Sequence, residues 1–322
     1  MKVLKFTGII ILILVVLAFS AGLYVKTALP NTGEPKDLKI EKTESRILRG
    51  KYLANNVAVC MDCHSSRDWQ IYSGPLKSGN FGGGGEPFNS DMGFPGNFYA
   101  PNITPAALGQ WTDGEIFRAV TTGVSKDGHA LFPIMGYKRF GKMDEEDVLS
   151  IIAYIRTLAP VENKVAASKA DFPVNFLINT MPEKAAFQPK PAKSDNVAYG
   201  KYLVNVAGCV DCHSKTDKGQ IIEGTEFGGG MEFKQPAGIL RSANITFDNT
   251  GIASWTKEAF VKRFKTYTDS AYVPVVVKPG ELNTPMPWSM YAGMEPSDLE
   301  AIYDFLKTNK PIVHKVEKAT TN

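Results

Sequence analysis

The first hydrophobic pattern along the chain is an unbroken one. From Phe6 to Val25 no residue is charged, with Lys2 and Lys5 before the run and Lys26 after it. At about 1.5 Å per helical residue, such a run spans a hydrocarbon core of about 30 Å. A cleaved signal peptide is the competing reading, but its apolar stretch is usually about 7 to 15 residues long and ends in a small-x-small site. Only Ala18-Phe19-Ser20 approaches that site, and the apolar length favours an uncleaved transmembrane anchor over residues 1–26. Residues 27–44 are polar and hold two prolines, which reads as a tether that lets the body stand off the membrane.

Beyond the tether the apolar positions become periodic. Val148, Ile151, Ile152, Ile155 and Leu158 recur at helical spacing, and so do Leu299, Ile302, Tyr303 and Leu306. Thr112 with Glu115 has the form of a capping box and predicts a helix start. The stretches richest in Gly, Pro and Asn read as loops. This pattern predicts an all-α body.

The same blocks then appear twice, in the same order. "RGKYLANNVAVCMDCHS" at 49–65 matches "YGKYLVNVAGCVDCHS" at 199–214, "FGGGGEPF" matches "FGGGMEF", and "NIT" recurs at 102–104 and 244–246. A Trp-Thr block recurs at Trp111 and Trp255, and a block running into the last helix recurs at 132–158 and from Thr284. Five ordered matches imply a duplicated domain, at 45–160 and 195–312. Between them lies a connector, 161–194, whose "FPVNFLINTM" is apolar enough to pack onto one of the domains, and a polar tail follows at 313–322. The formal charge of +3 is contributed by the three lysines of the anchor, so the remainder is neutral. No basic patch is implied, and nucleic-acid binding has no support.

All four cysteines, Cys60, Cys63, Cys209 and Cys212, fall in the two Cys-x-x-Cys-His motifs. A zinc site, a thioredoxin-like redox pair and covalent attachment of c-type haem share the Cys-x-x-Cys element. A zinc ribbon keeps its second pair within about 20 residues of the first, and here most of a domain intervenes. A thioredoxin-like pair needs no following histidine. The haem reading uses every residue: two thiols on one helical turn form thioethers with one porphyrin, and His64 and His213 become the proximal iron ligands. Two covalently bound haem c groups are expected.

The residue on the other face of each iron separates a closed electron carrier from an open, substrate-binding haem. The aligned blocks place Met135 opposite Met286, each within two residues of a proline that stiffens its loop. These two are the expected distal ligands. Met143 and Met294, just before the last helices, read as core fillers, and Met290 is a minor rival in the second copy. His129 has no counterpart in the second copy and reads as a surface or propionate-side residue, while His314 lies in the tail with no role.

The Gly-Lys-Tyr-Leu helix leading into Cys-x-x-Cys-His, the NIT segment, the Trp-Thr helix start, the Pro-Met loop and the closing "DVLSIIAYIRTL" helix together resemble class I cytochrome c domains. The pair is similar to bacterial diheme cytochromes c related to the cytochrome subunits of membrane-bound alcohol and aldehyde dehydrogenases. It departs from those subunits in holding two haem motifs where they commonly hold three. The resemblance implies a crossing of first and last helices at a glycine, Gly50 against Tyr154 and Gly200 against Tyr303 or Phe305. It also implies haem attachment outside the cytoplasm, hence a membrane-anchored protein whose body faces the periplasm.

The expected function is single-electron transfer, with a dehydrogenase, a quinol-oxidising complex or a terminal oxidase as redox partner, and no catalytic residue of its own. A diheme peroxidase with one open iron is the alternative, and the paired Met135 and Met286 argue against it. An enzyme of the thiosulfate dehydrogenase type would need a fifth cysteine as distal ligand, which the sequence lacks.

Overall fold

The computed structural model describes residues 2–322, so Met1 of the expected anchor lies outside the described residues. The N-terminal segment is one helix, Lys2–Thr27, whose span Lys5–Thr27 has a mean hydropathy of 2.7 and is not buried by the rest of the chain. Residues 28–43 run largely extended, but they are held against the first copy. The Lys36 ammonium pairs with Glu145 at 2.7 Å, the Ile40 amide donates to Asp113 at 2.8 Å, and Ile40 is buried.

Each copy is built on a crossing of its first and last long helices. In copy one Glu44–Tyr52 crosses Glu145–Ile155, and in copy two Asn196–Ala207 crosses Pro296–Thr308. A Cβ on Gly50 would sit 1.8 Å from the Ser150 carbonyl oxygen and 2.9 Å from the Tyr154 Cβ. One on Gly200 would sit 1.9 Å from the Ala301 carbonyl oxygen and 3.0 Å from the Phe305 Cβ. Any side chain there would force the helices apart, so the glycines set the closest approach. A third helix, Asp113–Thr122 in copy one and Lys257–Lys265 in copy two, completes each set. The capping box forms, the Glu115 amide donating to the Thr112 hydroxyl and the Thr112 amide to the Glu115 carboxylate. In copy two Thr256 caps alone, because Ala259 stands where the glutamate would be.

The expectation of an all-α fold does not hold. Helix accounts for 39% of the chain and strand for 9%, the strands lying in three small antiparallel sheets. In copy one β1 (Pro87–Phe88) pairs with β2 (Gly96–Tyr99), and β2 also pairs with β3 (Lys169–Ala170) from the connector. In copy two β4 (Thr216–Asp217) and β5 (Gln220–Ile221) form a separate ribbon. There β6 (Glu232–Gln235) and β7 (Gly238–Arg241) form the hairpin, and β8 (Ala319–Thr321) from the tail is its third strand. The two three-stranded sheets correspond: Gly96 and Gly238 both have φ near +140°, and each lets a carbonyl of the incoming strand, Lys169 or Thr320, approach closely. The physical reason for the correction is that the loop backbone beside each haem motif must pair its N–H and C=O groups, and it does so with segments from beyond the last helix.

One apolar core runs through both copies, from Leu53, Val57 and Ile152 to Leu203, Leu299 and Leu306. The copies are also clasped by a reciprocal exchange. The Tyr52 hydroxyl of copy one donates to Asp298 of copy two at 2.7 Å, and the Tyr202 hydroxyl of copy two donates to Asp147 of copy one at 2.6 Å. Tyr52 and Tyr202 are the equivalent tyrosines of the two Gly-Lys-Tyr-Leu segments, and Asp147 and Asp298 are equivalent acids, both fully buried. The two copies therefore meet through matching surfaces, as two subunits related by a twofold axis would.

Candidate haem-binding sites

Each Cys-x-x-Cys-His segment folds as a single helical turn, Cys60–Cys63 and Cys209–Cys212. The residue before each turn is in the left-handed region, Val59 at φ +47° and Gly208 at φ +71°. This swings the chain out of the preceding helix and starts a new turn, placing both cysteines on one side. The amide of each histidine closes the turn on its first cysteine, His64 to the Cys60 carbonyl and His213 to the Cys209 carbonyl, both at 2.9 Å. Burial pushes the Cys60 thiol up to about 11 and the Cys63 and Cys209 thiols up to about 12. Cys212 has the most exposed surface of the four, yet its thiol too is pushed up to about 11 by the protein around it, with Asp211 adding to the rise. At neutral pH these are protonated thiols rather than reactive thiolates. Among the described residues no cluster of three or more His, Cys, Asp or Glu side chains could hold a metal ion, so the two cysteine pairs do not converge on a shared zinc site.

The histidines are oriented identically. His64 Nδ1 lies 2.7 Å from the Pro101 carbonyl and His213 Nδ1 lies 2.8 Å from the Ala243 carbonyl. A carbonyl can only accept, so Nδ1 carries the proton and Nε2 keeps its lone pair. Burial lowers the pKa of both rings, which favours the neutral imidazole. A neutral, buried imidazole with Nε2 free and Nδ1 donating is the form that ligates iron, and the carbonyl behind it raises its basicity. Two thiols on the adjacent turn complete what a covalently held porphyrin requires, so the residues present fit a haem c at each motif.

The acceptor carbonyls belong to the residues just before the NIT segments, and those segments explain why the carbonyls stay in place. The Asn102 carboxamide oxygen accepts from the Thr104 amide and hydroxyl, and its Nδ2 donates to the Val161 carbonyl at 2.8 Å. Asn244 does the same with Thr246 and the Ile312 carbonyl, also at 2.8 Å. Thr104 and Thr246 each accept in turn an amide from the segment after the last helix, Val161 or Ile312, at 3.1 Å. NIT is thus a clip that ties the strand behind the histidine to the end of the domain. Its recurrence was visible in the sequence, but its role was not. The glycine loops close the other side: the Gly84 amide donates to the His64 carbonyl and the Gly229 amide to the His213 carbonyl. His314, given no role from sequence, packs here, its Nδ1 2.8 Å from the Gly228 carbonyl.

Met135 and Met286 lie half-buried at the margin of the core, whereas Met143 and Met294 are fully buried within it and Met290 is nearly so. Each half-buried methionine heads a matching turn, its carbonyl accepting from the Tyr137 amide at 2.7 Å or the Trp288 amide at 2.8 Å. Each turn is braced by the opposite copy. The Ser73 hydroxyl of copy one donates to the Met286 carbonyl at 2.6 Å, and the Asn283 side chain reaches the Trp69 and Ile71 carbonyls. In the other direction Arg139, four residues past Met135, pairs with Asp211 at 2.9 Å and donates to the Val206 carbonyl at 3.2 Å. Arg139 is within electrostatic reach of all four cysteines, where its charge works against the upward push on the thiols. Its guanidinium lies against the second of the two Cys-x-x-Cys-His turns, beside Gly208 and Asp211. The equivalent of Asp211, Asp62, is instead buried against Arg67 at 3.0 Å within its own copy. His129 is exposed, and its side chain bonds only to the nearby Asp127.

No protein-family model matches the chain. The fructose dehydrogenase cytochrome subunit of Gluconobacter japonicus is 30% identical over 233 residues, 68% of this chain and 44% of that protein. The cytochrome c subunit of the quinone alcohol dehydrogenase of Gluconacetobacter polyoxogenes is 26% identical over 92% of this chain and 61% of its own length. A diheme c-type cytochrome of Cereibacter sphaeroides is 27% identical over 48% of this chain and 53% of its own length. The chain spans about half the length of the curated relatives it matches. These relatives, with the paired Cys-x-x-Cys-His turns, make the chain a c-type cytochrome. More particularly, it is related to the cytochrome c subunits of membrane-bound dehydrogenases.

Proposed function

We propose that this chain is a membrane-anchored diheme cytochrome c that carries single electrons between a dehydrogenase and the respiratory chain, and that it is not itself an enzyme. Cys60 and Cys63 would hold one haem c, with His64 and Met135 as axial ligands. Cys209, Cys212, His213 and Met286 would do the same for the second. The bound haem supplies a one-electron iron couple, whose potential an axial methionine raises relative to a second histidine. The chain's own residues do the rest. His64 and His213 are held in one tautomer by the Pro101 and Ala243 carbonyls. The core and the glycine loops exclude water, and the bracing of each methionine turn by the other copy limits its freedom to leave the iron. The observation that carries the reading is the twice-repeated arrangement of a two-thiol turn with an imidazole whose Nδ1 donates to a backbone carbonyl and whose Nε2 is left free.

The anchor helix would hold the body at the outer face of the cytoplasmic membrane, in the periplasm, because haem c is attached there. The relatives' names point to a dehydrogenase as electron donor, with a quinol-oxidising complex or terminal oxidase as further redox partners. The test is haem stoichiometry by pyridine haemochrome and intact mass on the full chain made with haem-attachment machinery. Two haems per chain, falling to one in Cys63→Ala or Cys212→Ala, is the expected result. One haem per chain in the unaltered protein overturns the diheme reading.

A further inference from the structure

The connector does not pack only onto the body. After β3, Val174–Leu177 forms a helical turn and Ile178–Thr180 a 3-10 turn, and both turns lie against the N-terminal helix. The Phe176 ring stands 3.7 Å from where a Cβ on Gly22 would be, and Asn179 Nδ2 donates to the Val25 carbonyl at 3.2 Å. The body side of the same segment is fixed: Gly96 pairs with Ala170, and the Asp171 amide donates to the Pro95 carbonyl at 2.9 Å. The segment is therefore a strut between the first copy and the helix, yet its apolar side chains are open. Phe172 is 84% exposed, Phe176 40% and Leu177 42%.

We propose that Phe172, Phe176 and Leu177 dock into the lipid surface beside the anchor helix, seating the body on the membrane at a fixed height and tilt. The proposal rests on the anchor reading of the N-terminal helix. Three observations select lipid as the occupant. The patch is continuous with the span, since Gly22 and Val25 lie inside Lys5–Thr27. Gly22 is five residues from the end of that helix, about 7.5 Å along its axis, which puts the Phe176 ring at the level where hydrocarbon gives way to headgroups. The tether also leaves little room for stand-off, because Lys36 is already bound to Glu145 and its carbonyl abuts Gly114. Aromatic and aliphatic side chains at that level gain the burial that an aqueous position denies them.

The experiment uses the full haem-loaded chain in phosphatidylcholine vesicles doped with a lipid that carries a diazirine near its headgroup, and maps adducts by mass spectrometry. Adducts on peptides covering both the anchor helix and 172–177 are expected. The Phe172→Ser, Phe176→Ser double variant should lower the 172–177 yield about tenfold or more, as loss of two buried aromatic side chains requires, while the anchor adducts persist. Adducts on the anchor alone, including the case where 172–177 is shielded by a protein partner, overturn the docking proposal and leave the anchor intact. An unchanged 172–177 yield in the variant also overturns it. Adducts on neither peptide overturn the anchor reading itself.

Discussion

Tyr202→Phe removes one hydroxyl and leaves the ring in place. That hydroxyl donates at 2.6 Å to Asp147, a carboxylate of the other copy with no exposed side-chain surface. A hydrogen bond to a charged group contributes about 1.5–3 kcal/mol. Asp147 keeps its contacts to Arg49, at 2.7 and 3.0 Å, and to Lys190 at 2.8 Å, so the cost belongs at the lower end, about 1.5–2 kcal/mol. Tyr52→Phe should cost at least as much, because the Tyr52 hydroxyl both donates to Asp298 and accepts the Glu295 amide at 3.1 Å. The assay is urea unfolding of the full chain in detergent, followed by circular dichroism and by haem absorbance. Since the tyrosine and the acid belong to different copies within one core, both probes should report one transition, and its midpoint should fall with an unchanged slope. A change below about 0.5 kcal/mol, or two separate transitions of which only one moves, would refute the clasp.

The same pair sets a pH dependence. Burial alone would raise the Asp147 carboxyl, but hydrogen bonds and charge from Arg49, with Lys190 and Tyr202, outweigh it and hold the group below the usual carboxylate range. Its contribution is therefore complete above the unfolded value of about 4 and is lost as pH falls through the lower folded value. The stability difference between the unaltered chain and Tyr202→Phe should be full at pH 7 and shrink below about pH 4, measured by urea titrations across that range. Arg139→Met, which copies the residue at the equivalent position of copy two, Met290, removes a cation within electrostatic reach of both turns. Both potentials should fall, by about 1 kcal/mol, or about 40 mV per electron; a spectroelectrochemical titration that finds both unmoved would contradict the electrostatic reach of Arg139. Asn244→Ala opens the clip behind His213 and leaves the buried Thr246 amide without its acceptor, for a loss of about 1–3 kcal/mol. Unfolding should show this loss, and an intact midpoint would show that the clip is idle.

The two Cys-x-x-Cys-His turns were legible because they are local. A Cys-x-x-Cys-His turn needs only five consecutive residues, and the duplication doubled every signal, whereas the Gly50 and Gly200 crossings were anticipated from the resemblance to class I cytochrome c domains. The strands were not legible. They are two to four residues long, too short for a period-two pattern, and the third strand of each larger sheet comes from the connector or the tail, which carry no strand signature. Tyr52 and Tyr202 read as one more position on a helix face, and nothing local says that each reaches an acid of the other copy. The apolar run "FPVNFLINTM" announced burial but not its partner. It meets the N-terminal helix rather than a domain alone, a choice made by tertiary contact and not by propensity.

The central claim is that both haem sites are closed by a methionine from a turn that the other copy braces. The near-infrared methionine-to-iron charge-transfer band of the oxidised full chain tests it most directly. The account predicts the band at an intensity matching two low-spin haems, halved in Met135→Ala and halved in Met286→Ala. A band that survives either substitution undiminished, or one high-spin haem in the unaltered protein, would contradict it.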